Sequence, residues 1–181
     1  RWFASEHFGV MPDLLCLGKA LTGGFPLSAC VGRVEVMDRA WPESTGEAIH
    51  TSTFLGHPVG CAMAIASLRE LELRKLPARS AEMGQLFLGE LKRLANRIGH
   101  ARCRPRGLGL MLALELFNDD STPAADIALS VIKRLLKDGL ILLPEGDPAN
   151  ILAFTPPLIV GKSHITKLIR ALGRALEEVY A

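Results

Sequence analysis

Short apolar runs alternate along this chain with segments of helical periodicity, and no other feature of the sequence limits the fold as strongly. In residues 80–98 apolar side chains recur at every third or fourth position, namely Met83, Phe87, Leu91, Leu94 and Ile98. This spacing places them on one face of an amphipathic helix. The short apolar runs at 14–17 and 151–154 have the length of strands. Together, these two kinds of segment predict an α/β fold.

Glycine, proline and hydroxyl-bearing residues set the expected limits of the elements. The predicted strands cover residues 14–17, which we expect to be buried, 29–31, 108–116, 140–143 and 151–154. The predicted helices begin at Pro58, Ser80, Thr122-Pro123 and Ser163. Ser80 and Ser163 are expected to be N-caps, because a serine hydroxyl can accept a hydrogen bond from a free N–H of the first helical turn.

The charge of the chain is close to balanced, with 21 Lys and Arg, 19 Asp and Glu, and a formal net charge of +2. Such a composition gives no argument for nucleic-acid binding.

No apolar run approaches the roughly 20 residues that span a bilayer, so we expect no membrane segment. The cysteines form no CxxC pair or Cys/His cluster, and we expect no metal site. Unpaired cysteines at this density indicate a reducing compartment, and we expect a cytoplasmic protein.

The limits of the chain and its change of pattern suggest how it is divided. It begins with Arg1, and residues 1–13 have the character of mid-protein sequence, so we expect a fragment that lacks its natural N-terminal part. After the second predicted helix the pattern changes to short strands separated by helices. We therefore expect residues 1–78 to be the end of one α/β domain and residues 79–181 to form a second, compact one.

The Gly18-Lys19 pair is the first candidate for chemistry. It follows the predicted strand 14–17 and precedes a turn signal at Gly23-Gly24. The pair is not the end of a P-loop, because that motif needs a glycine where this chain has Asp13 and a Ser or Thr where it has Ala20. For an isolated Gly-Lys pair, an exposed lysine at a turn is the more common explanation.

Four segments resemble those of one enzyme family in the same order. The segment 12–26 (PDLLCLGKALTGGFP) resembles the lysine segment of the class III aminotransferases. This family consists of pyridoxal-phosphate-dependent enzymes of fold type I and includes the ornithine, acetylornithine and 4-aminobutyrate aminotransferases. Further matches are 50–58 (HTSTFLGHP), 106–116 (RGLGLMLALEL) and 154–158 (FTPPL). Because the four segments cover most of the chain, the resemblance is specific.

The resemblance implies that Lys19 holds pyridoxal 5'-phosphate as a Schiff base in a transaminase acting on small-molecule amines or amino acids and keto acids. It also implies that 1–78 is the C-terminal part of the large cofactor-binding domain and 79–181 the small domain. The chemistry agrees: a lysine at the end of a buried strand is partly desolvated, which favours the neutral amine that attacks an aldehyde. Gly18 leaves room for a flat ring beside the lysine stem. The amine, once released, can carry a proton.

Thr53 is the second candidate site residue. It precedes the helix predicted from Pro58, and a hydroxyl near a helix N-terminus suits a phosphate. The resemblance implies that Thr53 reaches the cofactor phosphate of the neighbouring subunit, and hence a homodimer. A capping or turn threonine is the structural alternative.

The chain departs from the family pattern at two positions. His57 stands where the family has Asn. Ala153 stands where many members have an arginine that binds the substrate α-carboxylate, which predicts a substrate bound in another way. An aminomutase, decarboxylase or racemase of the same fold would use Lys19 as well, and a catalytically silent fragment is a further alternative.

Overall fold

The computed structural model describes residues 1–47 and 51–181. His50, which belongs to one of the four family-like segments, lies outside the described residues. The chain divides into two compact units, Arg1–Leu76 and Pro77–Ala181. In the described part of the chain, no helix is both long and apolar enough to cross a membrane.

In its described residues, the first unit contains one antiparallel strand pair and two helices. The strands are β1 (Leu14–Leu17) and β2 (Ala29–Gly32), and the helices are α1 (Val34–Ala40) and α2 (Pro58–Leu73). Short 3-10 helices cover Ala4–His7 and Lys19–Leu21. The strands predicted at 14–17 and 29–31 and the helix predicted from Pro58 are confirmed. Proline suits the first position of α2 because its missing N–H would have no helical partner there.

The expectation that strand 14–17 is buried is wrong for the described chain. Leu14 is 49% exposed, and Cys16 is exposed as well. The reason is that β1 pairs with β2 alone, in a sheet of two strands. A pair of strands covers neither of its own faces, so side chains on both faces of β1 stay in contact with solvent.

The second unit is a four-stranded antiparallel sheet with three helices. Its helices are α3, which starts at the unit boundary (Leu76–Ile98), α4 (Ala125–Lys137) and α5 (Lys162–Tyr180). The strands are β3 (Cys103–Leu108), β4 (Met111–Leu116), β5 (Pro144–Glu145) and β6 (Ile151–Phe154), in the spatial order β3-β4-β6-β5.

The core of this unit lies on one face of the sheet. Alternate residues of β4 and β6 are buried, in keeping with the two-residue period of a strand: Leu112, Leu114, Leu116, Leu152 and Phe154. The helices add residues at helical spacing, among them Phe87, Leu91, Leu135, Leu172 and Leu176. The rings of Phe87 and Phe154 meet edge to face, with centroids 5.3 Å apart. The helical pattern of residues 80–98 is thus confirmed.

The segment predicted as one strand over 108–116 is two strands joined by a tight turn. Gly107 and Gly109 have positive φ values of 145° and 55°, a conformation that glycine adopts at little cost. A Cβ on Gly84 of α3 would lie 2.0 Å from the carbonyl oxygen of Gly109, so the helix packs directly on this turn. Ser80 is not an N-cap, because α3 begins at Leu76; its hydroxyl accepts a hydrogen bond of 3.1 Å from the Leu110 N–H.

Three other predictions differ from the structure, the first being the start of α4, which lies at Ala125 and not at Thr122-Pro123. Helix α5 begins at Lys162 with Gly161 as N-cap, and Ser163 makes no capping bond. Residues 140–143 form no strand. The Leu140 N–H instead donates to the Leu135 carbonyl oxygen at 2.9 Å, which terminates α4 in the manner of a Schellman motif.

Arg79 of α3 fixes the segment that follows β6. Its guanidinium donates hydrogen bonds to the carbonyl oxygens of Leu158 (2.6 Å), Ile159 (3.4 Å) and Val160 (2.7 Å). Hydrogen bonds that involve a charged group are stronger than neutral ones. The position of residues 158–160, which follow the Pro156-Pro157 pair, therefore depends on one side chain.

We predict that Arg79→Ala lowers the free energy of unfolding of the natural full-length protein by about 2 kcal/mol, because three carbonyl groups lose a charged donor. Denaturant unfolding measures the change. Arg93→Ala on the same helix is the matched control: this side chain is 73% exposed and pairs only locally with Glu90, so its loss should cost at most about 0.5 kcal/mol. Equal effects of the two substitutions would contradict the prediction.

Candidate active site

Lys19 lies directly after β1, as the first residue of the 3-10 helix Lys19–Leu21. The Leu21 N–H donates to the Gly18 carbonyl oxygen at 2.7 Å, which closes this turn. Lys19 is exposed, and its amine has no hydrogen-bond or ion-pair partner among the described residues. The expected desolvation of Lys19 is therefore absent in the described chain, for the same reason that β1 is not buried.

The glycine turn after Lys19 is fixed by Thr22, which the sequence analysis did not identify. Thr22 is only 5% exposed. Its hydroxyl donates to the Phe25 carbonyl oxygen and accepts from the Gly24 N–H at 3.4 Å. Gly23 and Gly24 have φ values of 73° and 147°, as the glycine pair predicted. Hydroxyl bonds of this kind are typical of short turns, but the sequence has many threonines and only the fold shows which one is buried.

An aromatic contact joins this turn to the start of α2. The Phe25 and His57 rings stack with centroids 5.2 Å apart and an interplanar angle of 27°. A Cβ on Gly60 would lie 3.2 Å from the Phe25 ring, so the small residue at 60 allows the ring to pack on the helix. The segment that carries Lys19 is thus held against the N-terminus of α2.

His57 is the N-cap of α2, and this explains the departure from the family's Asn. The His57 Nδ1 atom accepts a hydrogen bond from the Gly60 N–H at 3.4 Å. An asparagine side-chain oxygen performs the same task at an N-cap. The imidazole therefore preserves the capping bond and adds the ring that stacks on Phe25.

Thr53 lies in the turn before α2 and is exposed. It is not the N-cap, since His57 has that role, and its hydroxyl has no partner within the described ranges. The alternative of a capping threonine is therefore excluded, whereas Thr53 does lie in a turn, as the other alternative expects. The structure does not bring Thr53 into contact with Lys19 of the same chain.

Ala153 lies on the face of the sheet opposite the core. In the strand register it stands opposite Ala113 of β4, which in turn stands opposite Arg106 of β3. Two arginines of β3 share this face, but both are engaged. Arg106 pairs with Glu115 at 3.2 Å, and the Arg104 guanidinium lies 4.2 Å from the centre of the Phe117 ring.

The residues around Lys19 fit a flat aldehyde cofactor. A Cβ built on Gly18 would meet no atom within 4 Å, so there is open space beside the lysine stem. The amine itself is exposed to solvent and unpaired within the described chain. A nucleophilic amine with room for a ring beside it is the arrangement that covalent attachment of a carbonyl compound requires.

Comparison with known proteins decides the family. Residues 1–176 match the sequence profile of the class III aminotransferases. The chain belongs to this family. The expected resemblance and the α/β, fold-type I class are thereby confirmed, and pyridoxal phosphate is the cofactor of these enzymes.

Individual class III relatives agree with this assignment. The chain is 34% identical to a 5-aminovalerate aminotransferase of Pseudomonas aeruginosa, covering 98% of this chain and 41% of that protein. It is 39% identical to the acetylornithine aminotransferase of Methanocaldococcus jannaschii, covering 99% and 41%. The structure matches a transaminase from Virgibacillus with a TM-score of 0.88 and 29% identity, covering 98% of this chain and 42% of that one. The chain thus spans about two fifths of the length of the curated relatives it matches.

Proposed function

We propose that this chain forms part of an aminotransferase that moves an amino group between a small amine or amino acid and a keto acid, with Lys19 as its cofactor lysine. The observation that carries this is the unpaired amine of Lys19 at the end of β1, beside the open side of Gly18, in a chain of the class III family. Residues 1–78 would belong to the large domain and 79–181 to the small domain.

In this proposal Lys19 has two roles. Its amine would hold the cofactor through a Schiff base, and the same amine, when free, would move a proton at the substrate carbon. Pyridoxal phosphate supplies the electron sink for that step. The turn held by Thr22, together with the contact between Phe25 and His57, keeps the lysine segment in place.

Borohydride reduction of the natural full-length holoenzyme, followed by peptide mapping, is expected to leave the pyridoxyl group on Lys19. Lys19→Ala should lower kcat by at least about a hundredfold, because it removes the cofactor's attachment and the proton carrier. The control is Lys92→Ala, which removes an exposed lysine of α3 and should leave kcat unchanged. Recovery of the pyridoxyl group on another lysine would refute the assignment.

We also propose that Thr53 binds the cofactor phosphate of the neighbouring subunit in a homodimer. The free hydroxyl of Thr53 and its position just before the N-terminus of α2 support this, because phosphates bind where helix N–H groups are unpaired. Thr53→Ala should weaken pyridoxal phosphate binding by roughly tenfold, the loss of one charge-assisted hydrogen bond, and Thr53→Ser should retain most of the affinity. Equilibrium dialysis measures both.

Mixed dimers distinguish a shared site from one built by a single chain. If Thr53 acts across the interface, a dimer of one Lys19→Ala and one Thr53→Ala subunit keeps one site of normal affinity. If Thr53 acts within its own chain, neither site of this mixed dimer has normal affinity for the cofactor. A protein that is monomeric by sedimentation would exclude the shared site altogether.

We further propose a cytoplasmic location, because the cysteines are unpaired. Recovery of the protein outside the cytoplasmic fraction would contradict this proposal.

The substrate is expected to be held without an arginine at position 153. The structure supports this, because Ala153 and Ala113 offer no polar group and both arginines of β3 are engaged. An arginine binds a carboxylate through a bidentate pair that alanine cannot replace. We therefore propose an amine, an ω-amino acid, or an acid bound by a residue outside this sheet.

A kinetic panel on the full-length enzyme tests this expectation. The kcat/KM for α-amino acids should not exceed that for the matching amines, and Ala153→Arg should raise the value for α-amino acids by about tenfold. Ala153→Leu, which adds bulk without charge, is the control. A highest kcat/KM for ornithine or acetylornithine, with no gain from Ala153→Arg, would show that the carboxylate is held elsewhere.

Racemisation is the second candidate, because it is the activity named for two of the relatives. The chain is 37% identical to a leucine/methionine racemase of Thermococcus litoralis, covering 99% of this chain and 39% of that protein. Incubation of the full-length enzyme with one L-amino acid and no keto acid separates the two activities. Catalytic formation of the D-enantiomer indicates a racemase, whereas stoichiometric release of keto acid indicates a transaminase. Carbon dioxide release or a shifted amino group would indicate a decarboxylase or an aminomutase.

A further inference from the structure

Two cysteines face each other across the strand pair that precedes Lys19. Cys16 of β1 stands directly opposite Cys30 of β2 in the antiparallel register. Both cysteines are free and exposed in the described chain. Cys16 comes three positions before Lys19, so a change at this pair affects the strand that positions the lysine.

The hydrogen-bond pattern shows which kind of pair the cysteines form. The Arg33 N–H donates to the Asp13 carbonyl oxygen at 3.1 Å, so Asp13 and Arg33 are a hydrogen-bonded pair of the ladder. Hydrogen-bonded and non-hydrogen-bonded pairs alternate along antiparallel strands. Counting along the register from Asp13, Cys16 and Cys30 occupy a non-hydrogen-bonded pair.

The non-hydrogen-bonded position brings the two thiols within reach of each other. Cα atoms at such positions are about 4.5 Å apart, closer than at hydrogen-bonded ones. Disulfides join residues whose Cα atoms are about 4.4–6.8 Å apart. Partial desolvation and a hydrogen bond with the Cys16 thiol raise the pKa of Cys30, which also indicates that the two sulfur atoms are neighbours.

We propose that Cys16 and Cys30 form a redox-active dithiol that closes to an intrachain disulfide when a small-molecule disulfide oxidises it. One cysteine, after losing its proton, attacks the small disulfide and releases one small thiol. The second cysteine loses its proton and attacks the mixed disulfide, which releases the other small thiol. The protein loses two protons and two electrons, which the small disulfide takes up to become two thiols.

Closure of this disulfide would displace β1, the strand that ends just before Lys19. Cβ atoms in a disulfide are about 3.8 Å apart, whereas directly opposite strand residues have Cβ atoms about 4.5–5.5 Å apart. Non-hydrogen-bonded pairs lie at the lower end of this range, so the bond draws β1 and β2 together by about 0.7 Å near the lysine. A misplacement of about 1 Å can reduce a rate by about a hundredfold, so we expect a loss of at least about tenfold from this shift. This consequence, unlike the disulfide itself, depends on the proposed function of Lys19.

The other two cysteines serve as internal controls. Cys103 is buried in the second unit, and burial raises its pKa to about 12, so it has almost no reactive thiolate at neutral pH. Cys61 lies in α2, partly buried. Neither has a cysteine opposite it in the strand register, so neither should join the disulfide.

The test is oxidation of the natural full-length protein by oxidised glutathione, then alkylation of free thiols and peptide mapping without reduction. A peptide joining Cys16 to Cys30, lighter by two hydrogen atoms than its reduced parts, is expected. Cys16→Ser and Cys30→Ser should each abolish it, and Cys61→Ser should not. Thermal unfolding confirms that the variants are folded. Glutathione adducts alone, a link to Cys61 or Cys103, or complete alkylation of Cys16 and Cys30 after oxidation would overturn the proposal.

Activity is measured on the same samples. Oxidised protein should lose at least about tenfold in kcat and regain it with dithiothreitol, while Cys16→Ser keeps its activity through the same oxidation. A disulfide that forms without loss of activity would overturn the coupling to Lys19. If the reduced enzyme has no transaminase activity at all, the proposed function fails, and the disulfide is still decided by the peptide map.

Discussion

The pairing of β4 on both of its edges is the interaction on which the second unit depends. Strand β4 lies between β3 and β6, and its Leu112, Leu114 and Leu116 are at most 3% exposed. Because strand side chains alternate between faces, the same pairing that fills the core also places Ala113 and Glu115 on the opposite face. The apolar core and the opposite face, which carries Ala113, Glu115 and Ala153, are therefore two consequences of one register, and neither can shift without the other.

The lysine segment depends on a smaller set of contacts. The pairing of β1 with β2 ends at Leu17 and Ala29, which leaves Gly18 and Lys19 just beyond the ladder. The turn that follows is fixed by the Thr22 hydroxyl and by the stack of Phe25 on His57. These contacts give Lys19 a defined backbone position, although its side chain stays in solvent. Few buried apolar contacts support the first unit, so the strand pair has a large share in positioning the lysine.

The sequence predicted features that depend on local pattern and missed those that depend on packing partners. Helical periodicity identified α3, and the glycine pair at 23–24 identified the turn after Lys19. The predictions that Ser80 and Ser163 are N-caps were wrong. The Ser80 hydroxyl binds the β3–β4 turn instead, and the sequence does not show where that turn packs. The burial of β1 was overestimated. An apolar run shows that a strand could be buried, but it does not show how many strands pair with it. The hydrogen bonds of Thr22 are local, but its burial depends on how the turn packs. The stack of His57 on Phe25 joins residues distant in sequence, so a local pattern could not single out either role.

The register also limits how a substrate carboxylate could be recognised at this sheet. Positions 152 and 154 face the core. An arginine placed one residue away from position 153 would therefore point into the core and not toward a ligand. Within these strands, a cation beside Ala153 can therefore come only from Arg104 or Arg106. The Arg106–Glu115 pair is largely exposed on its arginine side, at 60%, and such pairs contribute only about 0–1 kcal/mol. A carboxylate could thus draw Arg106 away from Glu115 at small cost, but Glu115 would then remain as a half-buried negative charge beside the ligand. That charge repels a carboxylate, so the exposed ion pair of Arg106 does not replace an arginine at position 153.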